Sequence, residues 1–476
     1  MSLPKRLAAA SWYIKCHSGL DAPAGPIAQQ RVPLAEKGIV MIDAEEPARV
    51  NPPETVKHPT RPKLLEVLGP GLITGASDDD PSGIATYSQA GAQFGFDLAW
   101  VMLFSWPLMC AIQEISARIG RVTGRGIAGN LKRHYPIAVV YGLVGLLLVA
   151  NTINLGADLG AMAAAVRLVV GGPQLAWVAA FAVVSVLLEV FVRYSRYVSV
   201  LKWLTLSLFA YVGVAFTVHI PWGTVAAHLV VPHIALNGGY LTVVVAILGT
   251  TISPYLFFWQ AEEEVEDVKE RPHAKPLERA PEQAVTEFTR IRWDTYVGMA
   301  LSNLVALFII LTTAATLRAH GITDIQTSAQ AAEALRPIAG NLVFVIFALG
   351  IVGTGMLAVP VLAGSAAFAV GEALGTHVGL ARKVGRAKTF YATIAIATLV
   401  GAAFNFSSLD PIKALFWTAV INGVVAVPIM VMMLLLASRS DVMGKFTLPT
   451  ILKTVGWLAT LVMTVAAIGM FTTTGS

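Results

Sequence analysis

Residues 69–83 of this chain read GPGLITGASDDDPSG. Three consecutive carboxylates, at Asp78, Asp79 and Asp80, precede Pro81 within a segment that is otherwise apolar. A charged side chain at the centre of a bilayer costs about 2.5 to 3.5 kcal/mol even on the mildest scale, so these carboxylates must face protein, water or a cation. Proline lacks a backbone N–H and disfavours helical geometry at the residue before it. The stretch therefore predicts a membrane-spanning helix that is broken at Asp80 and Pro81.

A second stretch, residues 249–255, reads GTTISPY and places hydroxyl groups beside Pro254. The spacing between Pro81 and Pro254 allows five spans in each half of the chain, and an odd number of spans inverts the second half relative to the first. Broken helices at corresponding positions of inverted repeats point to a substrate site near the middle of the membrane. Carboxylates and the carbonyl oxygens freed by such breaks are ligands for a hard cation.

The composition places the chain in a membrane. Of its 476 residues 55% are hydrophobic and 13% are charged, and the mean hydropathy is +0.67. A soluble core of this length cannot bury so many apolar residues. Segments of about 18 or more apolar residues can cross the hydrocarbon as helices, which predicts an all-α membrane protein that contacts the lipid bilayer. We predict eleven spans, at about 65–95, 97–118, 136–168, 174–192, 197–219, 239–262, 293–317, 341–371, 388–405, 410–437 and 452–472.

This pattern also predicts the domain organisation. Residues 1–62 are rich in Pro, Ala and charge without lasting periodicity, which indicates a disordered cytoplasmic tail. Residues 63–476 form the predicted transmembrane domain, with inverted repeats at about 65–219 and 239–437 and an additional helix at 452–472.

The basic residues indicate the orientation. All but four of the 34 lysines and arginines lie in the tail or in alternate loops, and the exceptions are Arg167, Arg318, Arg336 and Lys413. Short cytoplasmic loops retain positive charge, so we expect an inner-membrane protein with its amino end in the cytoplasm and its carboxyl end outside. Because the net charge of +5 is spread between spans, it does not indicate nucleic-acid binding. The acidic run Glu262–Glu266 is interpreted as a solvated helix end.

Several motifs resemble the Nramp family of divalent metal transporters. They are the sequence from Gly69 to Pro81, the segment QAGAQFG at residues 89–95, and the segment QEISARIGRVTG at residues 113–124. The likeness covers about residues 65–437. It implies a LeuT-type fold of five plus five helices, a metal site between the broken first and sixth helices, and in many members proton coupling.

The sequence departs from the family pattern at three places. The family's Asp-Pro-Gly-Asn is here the segment DPSG at residues 80–83, and its Met-Pro-His is the segment SPY at residues 253–255. On the third helix, Asp158 is retained but Ala161 replaces the second acid. These departures resemble the branch of Nramp-related magnesium transporters, to which the segment TTISPYLFFWQ at residues 250–260 is also similar. Exchanging a thioether for a hydroxyl favours Mg²⁺ over softer transition metals.

The resemblance implies a set of metal ligands. Asp80 would supply the carboxylate, Ser77 and Thr250 their backbone carbonyls, and Ser253 a direct or water-mediated contact. Asn422 in the tenth span either completes this polar lining or makes a satisfied hydrogen bond between helices.

Other polar residues have two interpretations. Asp78 and Asp79 either set the electrostatics of the entrance or include a buried, protonated carboxyl. Asp158 either takes part in transport, as a possible proton carrier, or forms a buried structural pair. For Glu114 we expect a structural salt bridge to Arg118 or another basic residue.

The histidines of the predicted outer loop, His219, His228 and His233, have spacings that fit no compact metal template. We therefore expect them to be ordinary loop residues.

Together these features favour a secondary transporter, not an enzyme, that imports Mg²⁺ and/or Mn²⁺ by alternating access. The metal is the substrate, and no cofactor is expected. Tight proton coupling is not expected, because Tyr255 and Ala161 replace titratable groups. One alternative is a proton-coupled Mn²⁺/Fe²⁺ importer, and another is a symporter for an organic solute, although three aspartates argue against an anionic solute. The oligomeric state stays open, and a monomer is plausible.

Overall fold

The structure of the protein is a computed structural model that describes residues 75, 77–192, 205–271, 273–380, 382, 384–406 and 410–474. Within these ranges the regular structure is helical. The predicted tail at residues 1–62 and the first parts of the first and fifth predicted spans lie outside them.

Helices of eight or more residues in the described ranges are numbered here in chain order. They are α1 (Pro81–Phe94), α2 (Ala99–Thr123), α3 (Ile127–His134), α4 (Ile137–Val170), α5 (Gln174–Phe191), α6 (Phe209–Thr217), α7 (Trp222–Val230), α8 (Gly238–Thr251), α9 (Pro254–Glu270), α10 (Ala284–Thr316), α11 (Val343–Leu374), α12 (Lys388–Ala403), α13 (Pro411–Ala437) and α14 (Thr450–Thr474). Shorter helices lie at Ser328–Ala332, Arg336–Ala339 and Ser440–Met443.

Eight helical segments of the described chain are long and apolar enough to cross a membrane. They are Ile137–Val170, Gln174–Phe191, Gly238–Glu270, Pro281–His320, Ser328–Leu374, Lys388–Phe406, Pro411–Ala437 and Thr450–Thr473. Helix α2, the second predicted span, is 25 residues long but is not among them. The predicted count of eleven spans is thus confirmed only in part.

The sixth predicted span is broken where the sequence indicates. Helix α8 ends at Thr251 and α9 begins at Pro254, with extended backbone at Ser253 (φ −77°, ψ 135°). Asp80 has the same extended geometry (φ −67°, ψ 171°) immediately before α1, and Pro81 is the first residue of that helix. In both places proline occupies a helix position that needs no N–H donor. Each break therefore ends in a new helix whose first turn faces the interior.

Small residues bring helix backbones close together beside the second break. A Cβ atom added at Gly249 of α8 would lie 2.0 Å from the carbonyl oxygen of Ala419 in α13. One added at Gly423 would lie 2.6 Å from the carbonyl oxygen of Val245. Such contacts between small residues are typical of membrane helix interfaces, and this one places the middle of α13 next to the break.

Largely buried ion pairs join the carboxyl ends of α2 and α9 to the amino end of α10. Arg121 of α2 lies 3.1 Å from Asp267 of α9 and 3.0 Å from Glu287 of α10. Arg290 of α10 contacts Glu264. These contacts hold three helices together at the end that is predicted to face the cytoplasm.

The acidic run at the end of α9 differs from its predicted state. Glu262 is 2% exposed and Glu264 is 0% exposed, so these carboxylates are not a solvated helix end. Tertiary contacts cover them, because Arg290 pairs with Glu264, and Gly126, the residue before α3, packs closely against Glu262. The predicted pairing of Glu114 with Arg118 is confirmed, with 2.7 Å between the charged atoms.

Candidate metal centre

Asp80 lies at the start of α1, where one of its carboxylate oxygens caps the helix. Oδ1 accepts hydrogen bonds from the backbone N–H of Gly83 at 2.7 Å and from the Ser82 hydroxyl at 2.6 Å. Aspartate is among the preferred residues at this position because its side chain satisfies an amide that has no partner within the helix. Oδ2 is left to face the interior of the bundle, where a carboxylate needs a donor or a cation.

Asn154 of α4 contacts this free oxygen. Its Nδ2 atom lies 3.3 Å from Asp80 Oδ2 and 3.1 Å from Asp158 Oδ2. Its Oδ1 atom accepts a hydrogen bond from Asn422 Nδ2 of α13 at 3.0 Å. One side chain therefore brings together three of the predicted site residues, Asp80, Asp158 and Asn422.

Sequence reasoning missed Asn154, although one indication was present. Asn154 precedes Asp158 by four residues in α4, so the two side chains share a face of the helix. Two polar side chains on one face of an apolar span indicate a polar interior.

At the second break, the predicted residues Ser253 and Thr250 bond to each other. The Ser253 hydroxyl donates to the carbonyl oxygens of Gly249 at 2.5 Å and Thr250 at 2.8 Å. It thereby satisfies carbonyls that the break leaves without an amide partner. A hydroxyl that donates its proton keeps acceptor lone pairs, and a carbonyl accepts up to two bonds. Both oxygens can still approach a cation.

Two tyrosines connect the two breaks. The Tyr255 hydroxyl donates to the carbonyl oxygen of Ser77 at 3.2 Å. The Tyr87 hydroxyl of α1 lies 2.6 Å from Thr250 Oγ1 of α8, and either group can be the donor. Tyr255, at the position of the family's histidine, thus contacts the Ser77 carbonyl that the resemblance assigns to the metal.

Asp78 and Asp79 face helix α10. The hydroxyl of Ser302 lies 2.6 Å from Asp78 Oδ2 and 3.2 Å from Asp79 Oδ1. The two aspartates are 0% and 5% exposed. Both side chains are therefore buried in the interior of the bundle.

The predicted site as a whole is closed to solvent. The least covered of its residues is 5% exposed, and the set comprises Ser77, Asp78, Asp79, Asp80, Asp158, Thr250, Ser253 and Asn422. A cavity of about 240 Å³ is lined by residues of α1 and α13, including Ala85, Gln89 and Phe416. Ala85 follows Asp80 by five residues, a rise of about 7.5 Å along a helix. The cavity thus approaches the site from the end at which α1 finishes.

The sequence matches the profile of a known protein family. The family described as natural resistance-associated macrophage protein-like, or Nramp, matches residues 71–473, which is well over half of the chain. The chain belongs to the Nramp family. The predicted membership of the family is thereby confirmed. The match does not distinguish the branch of Nramp-related magnesium transporters from other members of the family.

Curated relatives of this Nramp protein are similar along most of their length. A divalent metal cation transporter MntH of Klebsiella pneumoniae (strain 342) is 25% identical over 400 residues, which cover 83% of this chain and 91% of the relative. A divalent metal cation transporter MntH of Burkholderia ambifaria is 27% identical over 411 residues, covering 84% and 87%.

Solved structures of similar fold include a manganese transporter from Eremococcus coleocola. It has a TM-score of 0.68 at 18% identity and covers 86% of each chain. Mhp1, a nucleobase-cation-symport-1 family transporter, has a TM-score of 0.52 at 13% identity and covers 84% of this chain and 92% of its own. Identities this low show the fold alone. The predicted all-α membrane fold of LeuT type is confirmed.

Proposed function

We propose that this Nramp protein is a secondary transporter that moves divalent metal cations across the membrane by alternating access. The observation that carries the proposal is the Asp80 carboxylate, which is buried at a helix break with Oδ2 facing the interior. The Ser77 and Thr250 carbonyls and the Ser253 hydroxyl, at the two helix breaks, offer further oxygens. The relatives named as divalent metal cation transporters support the same substrate class.

The donor set and the relatives together favour Mn²⁺ and Mg²⁺ as substrates. Carboxylate, carbonyl, hydroxyl and water oxygens suit Mg²⁺, Ca²⁺ and Mn²⁺, whereas a thioether favours softer metals. Ser253 stands at the position of the family's methionine. The Eremococcus coleocola structure is named a manganese transporter, which supports the manganese alternative at least as well as transport of Mg²⁺.

For the driving force we propose transport without tight proton coupling. Inward movement of a divalent cation yields about 4.6 kcal/mol per 100 mV of negative-inside potential, from about 2.3 per elementary charge. Ala161 and Tyr255 offer no titratable group near neutral pH. The position of Asp158, which shares the Asn154 amide with Asp80, is the observation that favours the alternative of a proton-coupled Mn²⁺/Fe²⁺ importer.

The proposal includes the topology. The amino end, with residues 1–62 as a tail, lies in the cytoplasm, and the carboxyl end lies outside an inner membrane, as the distribution of Lys and Arg indicates. The transmembrane domain at residues 63–476 contains the repeats at about 65–219 and 239–437 and the additional helix at 452–472. The transporter acts in a lipid bilayer, and a monomer suffices for the site as described.

The test is uptake into proteoliposomes under an imposed potential, with Mn²⁺, Mg²⁺, Ca²⁺ and an uncharged amino-acid mixture compared side by side. Saturable uptake of Mn²⁺ and Mg²⁺ is expected, with mutual competition because they share one site. Uptake of Mn²⁺ without Mg²⁺, even as a competitor, would support the manganese alternative and overturn the magnesium part of the proposal. Uptake of the organic solutes with no metal flux would overturn the proposed substrate class.

A further inference from the structure

A second group of possible metal ligands lies away from the transport site. Asp97 follows α1, His228 is near the end of α7, and His233 lies in the connector before α8. One ligand atom from each of the three side chains lies within 4.8 Å of the other two. The fold brings Asp97, from another part of the chain, beside His228 and His233, which the sequence alone predicts to be ordinary loop residues.

The rings of His228 and His233 are stacked, with centroids 4.2 Å apart and planes inclined by 12°. An imidazole nitrogen binds a metal in the plane of its ring, so one of the two rings has to turn out of the stack before both can bind the same ion. His228 Nδ1 lies 3.1 Å from Asp97 Oδ1, but the two atoms do not form an aligned hydrogen bond. The ring nitrogen and the carboxylate therefore lie close together but do not form a hydrogen bond with each other.

Hydrogen bonds to the ring and to the backbone of His233 hold this residue in position. Its Nδ1 atom lies 3.2 Å from the carbonyl oxygen of Val231. A carbonyl only accepts, so Nδ1 carries the proton and Nε2 is the free ligand atom. The Tyr240 hydroxyl donates to the backbone carbonyl of His233 and accepts a bond from Trp100 Nε1 at 3.1 Å. The connector that bears His233 is therefore held to α2 and α8.

We infer that Asp97, His228 and His233 form an accessory site for a transition metal such as Zn²⁺, distinct from the transport site, and that its occupation slows transport. Two imidazoles and a carboxylate form a ligand set for Zn²⁺ with an open position for water. Ligands about 2.1 Å from a tetrahedral Zn²⁺ lie about 3.4 Å apart. The three ligand atoms already lie within 4.8 Å of one another, and turning one imidazole ring out of the stack lets both rings approach that geometry.

Occupation would connect two segments that adjoin the broken helices. Asp97 lies three residues after the end of α1, and His233 lies five residues before the start of α8. In alternating access the helices around the site change their relative positions. A metal that bridges these segments restricts that change, so external Zn²⁺ is expected to inhibit.

The binding test uses the full chain carrying Asp80→Asn, so that metal bound at the transport site contributes little. Zn²⁺ binding is measured by isothermal titration, and Co²⁺ is used for its visible absorption in a tetrahedral site. We expect one saturable Zn²⁺ equivalent, weakened at least tenfold by His228→Ala or His233→Ala. His219→Ala, another histidine of the same predicted outer loop, is the matched control and should bind as before. Equal binding in all variants, or no binding at all, would overturn the site.

The transport test uses proteoliposomes with Mn²⁺ as substrate and micromolar Zn²⁺ outside. Inhibition that excess Mn²⁺ does not relieve, and that His228→Ala weakens at least fivefold, is the expected result. Inhibition that excess Mn²⁺ abolishes in every variant would place Zn²⁺ at the transport site and overturn the regulatory role. The binding test does not depend on transport, so failure of the accessory site and failure of the proposed function are distinguishable.

Discussion

The side-chain amide of Asn154 lies 3.3 Å from the Asp80 carboxylate and joins α4 to the break before α1. The same amide contacts Asp158, and the Asn154 carbonyl accepts from Asn422. An amide can donate to two carboxylates but cannot neutralise either. A cation beside Asp80 would supply the missing charge, and Asn154 would orient the carboxylate toward it.

Asn154→Ala should therefore impair transport more than folding. The variant leaves the free oxygen of Asp80 without its donor, and we expect at least a tenfold loss in uptake efficiency, equivalent to about 1.4 kcal/mol. The measurement is initial Mn²⁺ uptake against concentration. Asn151→Ala is the control, because Asn151 donates to the Leu362 carbonyl and the Ser365 hydroxyl of α11 and does not contact Asp80. Equal uptake losses in both variants would indicate general destabilisation instead of a role at the site.

The second prediction concerns selectivity at the second break. Ser253→Met exchanges a small hard oxygen for a bulky soft sulfur, so Mg²⁺ transport should weaken relative to Cd²⁺ by at least tenfold, or about 1.4 kcal/mol. The measurement is competition of each metal with Mn²⁺ uptake. Ser253→Ala serves as the control, since it also removes the bonds to the Gly249 and Thr250 carbonyls without adding sulfur. An unchanged ratio in Ser253→Met would mean that the side chain does not line the site.

A feature could be predicted from the sequence when neighbouring residues cause it, and could not when it depends on contacts between distant parts of the chain. The break at Ser253 and Pro254 could be predicted because proline acts on its own helix. The contact between Tyr87 and Thr250 could not, since the two residues are far apart in the chain and meet only through helix packing. The burial of Glu264 was likewise missed, because its cover comes from Arg290 of another helix.

A third prediction concerns the donor to the paired aspartates. Ser302→Ala removes the hydroxyl that contacts Asp78 and Asp79, and a buried polar group left without its partner costs about 1 to 3 kcal/mol. The melting temperature of the purified protein in detergent should fall, while Ser302→Thr should restore most of it because the hydroxyl is retained. If Ser302→Ala melts with the wild type, the contact contributes nothing to stability.

A fourth prediction tests the close approach of α8 and α13. Gly249→Ala places a methyl group 2.0 Å from the Ala419 carbonyl oxygen, so the helices must separate. Overpacking of this kind costs about 1 to 3 kcal/mol, which should lower the melting temperature and Mn²⁺ uptake together. Gly223→Ala in α7 is the matched control, because nothing lies within 4 Å of its added Cβ. The interface would need revision if both variants behaved alike.

A fifth prediction is that metal uptake does not carry protons in fixed ratio. Proteoliposomes loaded with a pH dye receive Mn²⁺ or Mg²⁺ under a K⁺/valinomycin potential, and the lumen should stay near its starting pH during uptake. Acidification in proportion to metal entry would contradict this and favour the proton-coupled alternative. Asp158→Asn would then identify the carrier, because Asp158 shares the Asn154 amide with Asp80.

The central claim is that the Asp80 charge holds the transported metal, and Asp80→Asn tests it most directly. Asparagine also caps helices well, so the variant keeps the bond to the Gly83 amide but loses the charge and the oxygen that accepts from Asn154. Asp441→Asn, at an exposed ion pair with Arg439, is the control for removal of an acid elsewhere. Saturable Mn²⁺ and Mg²⁺ uptake is measured in proteoliposomes with equal amounts of folded protein. The account predicts that Asp80→Asn abolishes uptake while Asp441→Asn retains it, and wild-type uptake by Asp80→Asn would contradict it.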